Sequence, residues 1–144
     1  MKVFLGGTIG DPTNDWRKEF VKGLKIDFFN PVVDDWNEEA KKREEKEKRE
    51  SDFNLYVITP YMKGVYSIAE LVDDSNKKPE KTIACFLKEY GGKSFDEQQW
   101  GSIWATVKLV IKNGSHVFYS LEDARDYLNN SSEIREILKK LTKY

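Results

Sequence analysis

The chain carries one cysteine, Cys85, and one histidine, His116, in 144 residues. A lone cysteine excludes an intrachain disulfide and a thiolate zinc cluster, and a lone histidine argues against a histidine-built metal site. No metal and no cofactor is therefore expected. No apolar run approaches the ~20 residues of a membrane-spanning helix, so no membrane partner is expected. The first apolar run, Val3-Phe4-Leu5, is too short for a signal peptide and reads as a strand. Neither sign of charge prevails: 24 Lys and Arg against 25 Asp and Glu give a net charge of −1. No basic field is left to recruit a nucleic acid polymer or an anionic surface. Disorder is excluded as well, because the aromatic residues, 13% of the chain, fall with β-branched ones in compact runs. The length fits a single domain spanning residues 1–144, and the low cysteine content points to the reducing cytoplasm.

Strands and helices alternate along the chain. Val3-Phe4-Leu5 forms a strand closed by Gly6-Gly7, and Trp16, Phe20 and Leu24 follow at helical spacing. Ile26–Phe29 is a second strand, ended by Asn30-Pro31. Leu55–Ile58 is a third, ended by Pro60, and Ile68, Leu71 and Val72 mark a helix after it. Thr82–Leu87 is a fourth strand. Ser94-Phe95-Asp96-Glu97 reads as a capping box opening a helix with Trp100, Ile103, Trp104, Val107 and Val110 on one stripe. His116–Tyr119 is a fifth strand, in which His116, like Cys85 in the fourth, is expected to be buried. A last helical region follows Ser120, with a division expected at Asn129-Asn130, and Lys88–Ser94 reads as a mobile loop. The pattern predicts an α/β fold: a flavodoxin-like three-layer sandwich with a five-stranded parallel sheet of order 2-1-3-4-5. Ligands in such folds sit at the carboxyl ends of the strands near the switch point.

The charge is concentrated in Asn37–Glu50, which holds six acids and six bases that cancel. The segment reads as a solvated helix laced with i,i+4 pairs such as Glu38 with Lys42 and Glu44 with Lys48. The alternative is a helix with one face turned toward a site.

Three loops at the carboxyl ends carry the candidate chemistry. After strand 1, Gly6-Gly7-Thr8-Ile9-Gly10-Asp11 lets a ligand approach the backbone and offers a hydroxyl, with Asn14, Asp15 and Arg17 nearby. It matches neither the dinucleotide fingerprint nor a Walker loop. It lacks the acidic pair of a phosphorylation receiver and the run of hydroxyls that a flavin phosphate needs. After strand 2, Asp34 and Asp35 stand beside Trp36, where two acids and an aromatic suit a sugar or base; helix capping explains them equally. After strand 3, Gly64, Tyr66, Ser67 and Glu70 face the mouth of the sheet, although Ser67-x-x-Glu70 also reads as a plain capping box.

The combination of Phe4-Leu5-Gly6-Gly7-Thr8, Asp15-Trp16-Arg17, Asn30-Pro31 and Ser51-Asp52 with Pro60, Gly64, Ser67 and Glu70 resembles the nucleoside 2-deoxyribosyltransferase-like superfamily. It also resembles the 2′-deoxynucleoside 5′-monophosphate N-glycosidases. The likeness covers roughly residues 2–87. It implies that Glu70 is a nucleophile attacking the anomeric carbon, that Gly6, Gly7 and Thr8 form the substrate loop, and that Ser67 lies where related enzymes hold a phosphate. Where the family commonly carries an aspartate that helps protonate the leaving base, this chain has Gly64. Asp34, Asp35 and Glu44 or Glu45 are the substitutes at hand. The resemblance implies cleavage or transfer of the N-glycosidic bond of (deoxy)nucleosides or their monophosphates, with a small-molecule nucleoside or nucleotide as partner. It also implies a homo-oligomer, with Trp100 and Trp104 as candidate contacts, although packing of their helix on the sheet is the plainer explanation of both tryptophans. The alternative is a nucleotide-binding or sensing module of the same fold without catalysis.

Overall fold

The computed structural model describes residues 1–10 and 12–142. Its strands are β1 (Lys2–Gly7), β2 (Asp27–Phe29), β3 (Phe53–Ile58), β4 (Thr82–Phe86), β5 (Glu89–Tyr90), β6 (Lys93–Ser94) and β7 (His116–Phe118). Its helices are α1 (Trp16–Val21), α2 (Glu38–Glu50), α3 (Tyr66–Lys77), α4 (Glu97–Lys112) and α5 (Leu121–Leu141). Five strands form one parallel sheet of order β2-β1-β3-β4-β7, the order expected once the small β5–β6 pair is set aside.

Alternation along the strands divides the core into two layers. Phe53, Leu55 and Val57 of β3 pack with Trp16 and Phe20 of α1 and with Ala124 and Leu128 of α5. Tyr56 and Ile58 face the other way, onto Leu71 of α3 and Ile103, Val107 and Val110 of α4. Every residue of β3 is buried, as a central parallel strand covered on both faces requires. From β1 the chain moves to β2 on one side, then returns past β1 to β3 on the other. The chain leaves β1 toward α1 on one face of the sheet and leaves β3 toward α3 on the other, so a crevice opens at the switch point.

Several local expectations are corrected. The capping box of α4 is Asp96 with Gln99, not Ser94 with Glu97; Ser94 is taken up in β6. Lys88–Ser94 holds the β5–β6 hairpin, turned by Gly91 and Gly92 at φ 57° and 81°, the left-handed pair a two-residue hairpin favours. α5 runs unbroken through Asn129-Asn130. Asn129 is buried there, accepting from the Lys25 amide at 2.8 Å and donating to the Gly23 carbonyl at 3.0 Å, so its side chain serves the α1–β2 turn rather than a helix end. His116 is exposed on the edge strand, its ring 4.8 Å from that of Tyr127. Cys85 is buried as expected, and burial pushes its thiol up to about 12. Among the described residues no helix is long and apolar enough to cross a membrane.

α2 buries no residue fully. Its half-buried positions are Ala40, Glu44, Glu47 and Lys48, which is one helical face. A face of that kind is normally apolar; here three of its four members are charged.

Candidate active site

The β1 end is built for close approach. Gly7 has φ 108°, and a Cβ there would lie 2.2 Å from the Val57 carbonyl oxygen, so no other residue fits. The Gly7 carbonyl accepts the Ser67 hydroxyl at 3.1 Å. Thr8 ties β1 to β3: its amide donates to the Val57 carbonyl at 2.8 Å, and its hydroxyl oxygen accepts the Thr59 amide at 3.0 Å. Thr8 is thus a buried brace rather than an open hydroxyl. Its carbonyl accepts from Trp16 Nε1 at 3.1 Å and from Arg17 Nη1 at 3.0 Å.

A cavity of about 410 Å³ opens beside this end of β1, within the range that encloses a small-molecule ligand. Phe4, Gly6 and Tyr56 of the sheet line it, as do Glu44 of α2 and Ser67 and Glu70 of α3. The β2–α2 loop closes one side with Val32, Val33 and Trp36, and Tyr66 stands at the mouth, 75% exposed. The site residues read from the sequence therefore divide. Gly6, Gly7, Tyr66, Ser67 and Glu70 meet at this cavity. Thr8 and Gly64 line a smaller adjoining one together with Tyr66 and Ser67. Asp34 and Asp35 are exposed and line neither; Val32, Val33 and Trp36 of the same loop line the main cavity while remaining partly open to solvent. Asp11 lies outside the described residues.

The capping reading of Ser67 and Glu70 fails. α3 begins after Val65 with no side-chain cap. Ser67 donates to Gly7, and Glu70 accepts from Lys48: the Nζ–Oε2 distance is 2.8 Å. The same ammonium lies 3.4 Å from Oδ2 of Asp74, which in turn accepts the Tyr56 hydroxyl. Glu70 and Asp74 stand four apart on one helix, where like charges repel; Lys48 neutralises the pair. Desolvation works against the Lys48 charge, but the bond and charge of Glu70, then those of Asp74, raise its pKa above the usual lysine range. Burial, then the Asp74 bond, pushes the Tyr56 hydroxyl far up, so it stays a donor. The expected pairs within α2 are not formed: Lys48 reaches α3 instead, and Glu47 pairs with Lys2.

Glu44 carries the second acid of the cavity. Burial raises its pKa, the negative charge of Glu70 raises it further, and Lys48 and Arg17 oppose the shift. The cavity thus holds one carboxylate bonded to a cation and one carboxyl with an enhanced hold on its proton. Among the described residues no group of three or more His, Cys, Asp or Glu is arranged to hold a metal ion.

As residues at the cavity Asp74 and Tyr56 escaped the sequence reading, Lys48 figured there only as a helix-surface partner of Glu44, and Arg17 only as a nearby polar group and part of the Asp15-Trp16-Arg17 motif. The acid repeat Glu70-x-x-x-Asp74 on a helix was the available signal, since such a pair calls for a cation.

Two acids at the switch point of a parallel sheet define a carboxylate site in a doubly wound α/β sandwich. The chain belongs to the nucleoside 2-deoxyribosyltransferase-like family, whose model matches residues 1–89 of the 144. The match spans β1 to β4 and every residue that lines the cavity. It supports a nucleoside deoxyribosyltransferase-like function in general, with small-molecule nucleosides as substrates. No curated protein matches the sequence.

Proposed function

We propose that the protein cleaves or transfers the N-glycosidic bond of (deoxy)nucleosides or their monophosphates, with Glu70 as nucleophile and Glu44 as acid. The observation that carries this reading is the pairing of the two carboxyl groups in one cavity: Glu70 anchored by Lys48, Glu44 with its pKa raised by burial. Lys48 fixes Oε2 of Glu70, so attack falls to Oε1, which forms a bond to C1′ of the sugar. The C1′–N bond breaks, its electron pair leaves with the base, and the Glu44 carboxyl protonates the base. Glu44, now a carboxylate, takes a proton from water or from an incoming base, which attacks C1′ and releases Glu70. Two displacements at one carbon retain its configuration. Glu44 thereby takes the role left open by Gly64, in preference to Asp34 and Asp35, which do not line the cavity. The aromatic and aliphatic walls, Phe4, Trp36, Val32 and Val33, suit a planar base. Ser67 and Gly64 at the adjoining hollow suit the sugar end. A homo-oligomer remains part of this proposal, with Trp104, 42% exposed, as a candidate contact.

One observation favours the binding-module reading: Gly64 has open space around it and no acid stands in its place. A panel of deoxynucleosides, ribonucleosides and their monophosphates, with and without a free base, separates the two. Base release by the wild type and a loss of roughly a thousandfold or more in Glu70→Gln are expected, the scale of a missing nucleophile. Ligand binding without turnover of any substrate would favour the module.

A further inference from the structure

Arg17 is held in an unusual way. Its side chain is 1% exposed, Nε donates to the Leu5 carbonyl at 2.9 Å, and Nη1 donates to the Thr8 carbonyl and to Asp15. The indole of Trp16 lies against the guanidinium, 4.5 Å from its carbon to the ring centre. Among the described residues Nη2 has no acceptor at all, and Arg17 lines the main cavity. A buried charged donor left without a partner is costly, and one on a residue that lines a cavity can be completed by what enters the cavity. The rest of the fork is spent on two backbone oxygens and the Asp15 carboxylate, which lock the orientation of Nη2. Asp15 and Glu44 are the acids whose charges act on the guanidinium, and Glu44 lines the same cavity.

Resting on the assignment of Glu44 as the acid, we propose that Arg17 reads the leaving base: Nη2 and the protonated Glu44 carboxyl present two donors to a base edge with two adjacent acceptors. The O6 and N7 of a 6-oxopurine are such an edge, the one that arginine donors read in guanine. Glu44 faces N7, the atom that takes the proton as the base leaves, and Arg17 faces O6. A 6-aminopurine puts a donor against Nη2 and is rejected; a purine with no substituent at position 6 leaves Nη2 unpaired and is disfavoured.

The test measures calorimetric binding of hypoxanthine, purine and adenine to the wild type, to Arg17→Lys and to Arg17→Met. It also measures kcat/KM for release of the same bases from their 2′-deoxynucleosides. Hypoxanthine is expected to bind the wild type about ten- to a hundredfold more tightly than purine, the value of one hydrogen bond to a charged donor. In each variant that ratio is expected to fall to within about threefold, and the ratio of kcat/KM values to shrink in step, which cancels differences in leaving ability. A wild-type binding ratio near one, or weaker binding of hypoxanthine than of adenine, overturns the proposal whether or not the variants fold. A preference that survives in a folded variant overturns the role of Arg17. Absence of all turnover defeats the glycosidase reading alone, because the free-base ratios still decide this one.

Discussion

α2 and the last turns of α5 look alike in sequence, each dense in Lys, Arg and Glu, and they do opposite things. On α5 the charges meet solvent: Lys139 and Glu136 are 3.5 Å apart with side chains 72% and 63% exposed, and Ile134, Ile137, Leu138 and Leu141 are exposed beside them. On α2 one face is turned to the sheet, and Lys48 crosses to α3 with its side chain only 19% exposed. The same residue types meet water in one helix and line or flank a cavity in the other. What separates them is what the topology sets opposite: a crossover helix carrying two acids for α2, and water for α5.

The comparison breaks most visibly at Glu44. Glu44→Gln is expected to lower base release by about a hundred- to a thousandfold, the range of a lost general acid. The wild-type rate should fall as pH rises through the raised Glu44 pKa, because the proton is present only below it. That basic limb should vanish in the variant, and a pH–rate profile checks it. The stability sign is opposite to that of a salt-bridged acid. A carboxyl with a raised folded pKa binds its proton more tightly folded than unfolded, so stability falls as pH rises through that window. Urea unfolding should therefore find Glu44→Gln less pH-sensitive than the wild type above the ordinary carboxylate range.

Lys48→Met should follow. Glu70 and Asp74 would face each other without a cation, and kcat is expected to fall about ten- to a hundredfold with a smaller change in KM. Lys48→Arg should recover part of the loss in the same steady-state assay. Tyr56→Phe removes the hydroxyl that Asp74 accepts, at a cost of roughly 1–3 kcal/mol in urea unfolding. On α5, Lys139→Ala should change stability by less than about 0.5 kcal/mol and leave base release untouched. An effect of Lys139→Ala as large as that of Lys48→Met would erase the distinction between the helices.

Much of the fold was legible. Hydrophobic runs such as Leu55–Ile58 and periodic faces such as Ile103, Val107 and Val110 are local signals, and the alternation of elements gave the strand order. Glu70 was legible through its place after β3. Glu44 appeared only as one of several substitutes, and Lys48 not at all in its role, because its partner lies 22 residues away and is delivered by the crossover past β1. Asp34 and Asp35 drew notice as adjacent acids. Their loop lines the cavity with Val32, Val33 and Trp36 instead, and which neighbours in an irregular loop reach a cavity has no periodicity to read. The helix break expected at Asn129-Asn130 failed for a different reason: a residue type common at helix ends was claimed by a distant turn.

That Asn129 carboxamide has a reach beyond its own helix. It clamps the turn between α1 and β2, and β2 leads into the loop that walls the cavity. The family match stops at residue 89, yet a residue forty positions further on splints the turn from which that wall is hung. Part of the C-terminal third thus works as scaffolding from outside: its grip on residues 23–25 bears on how firmly that wall of the cavity stands.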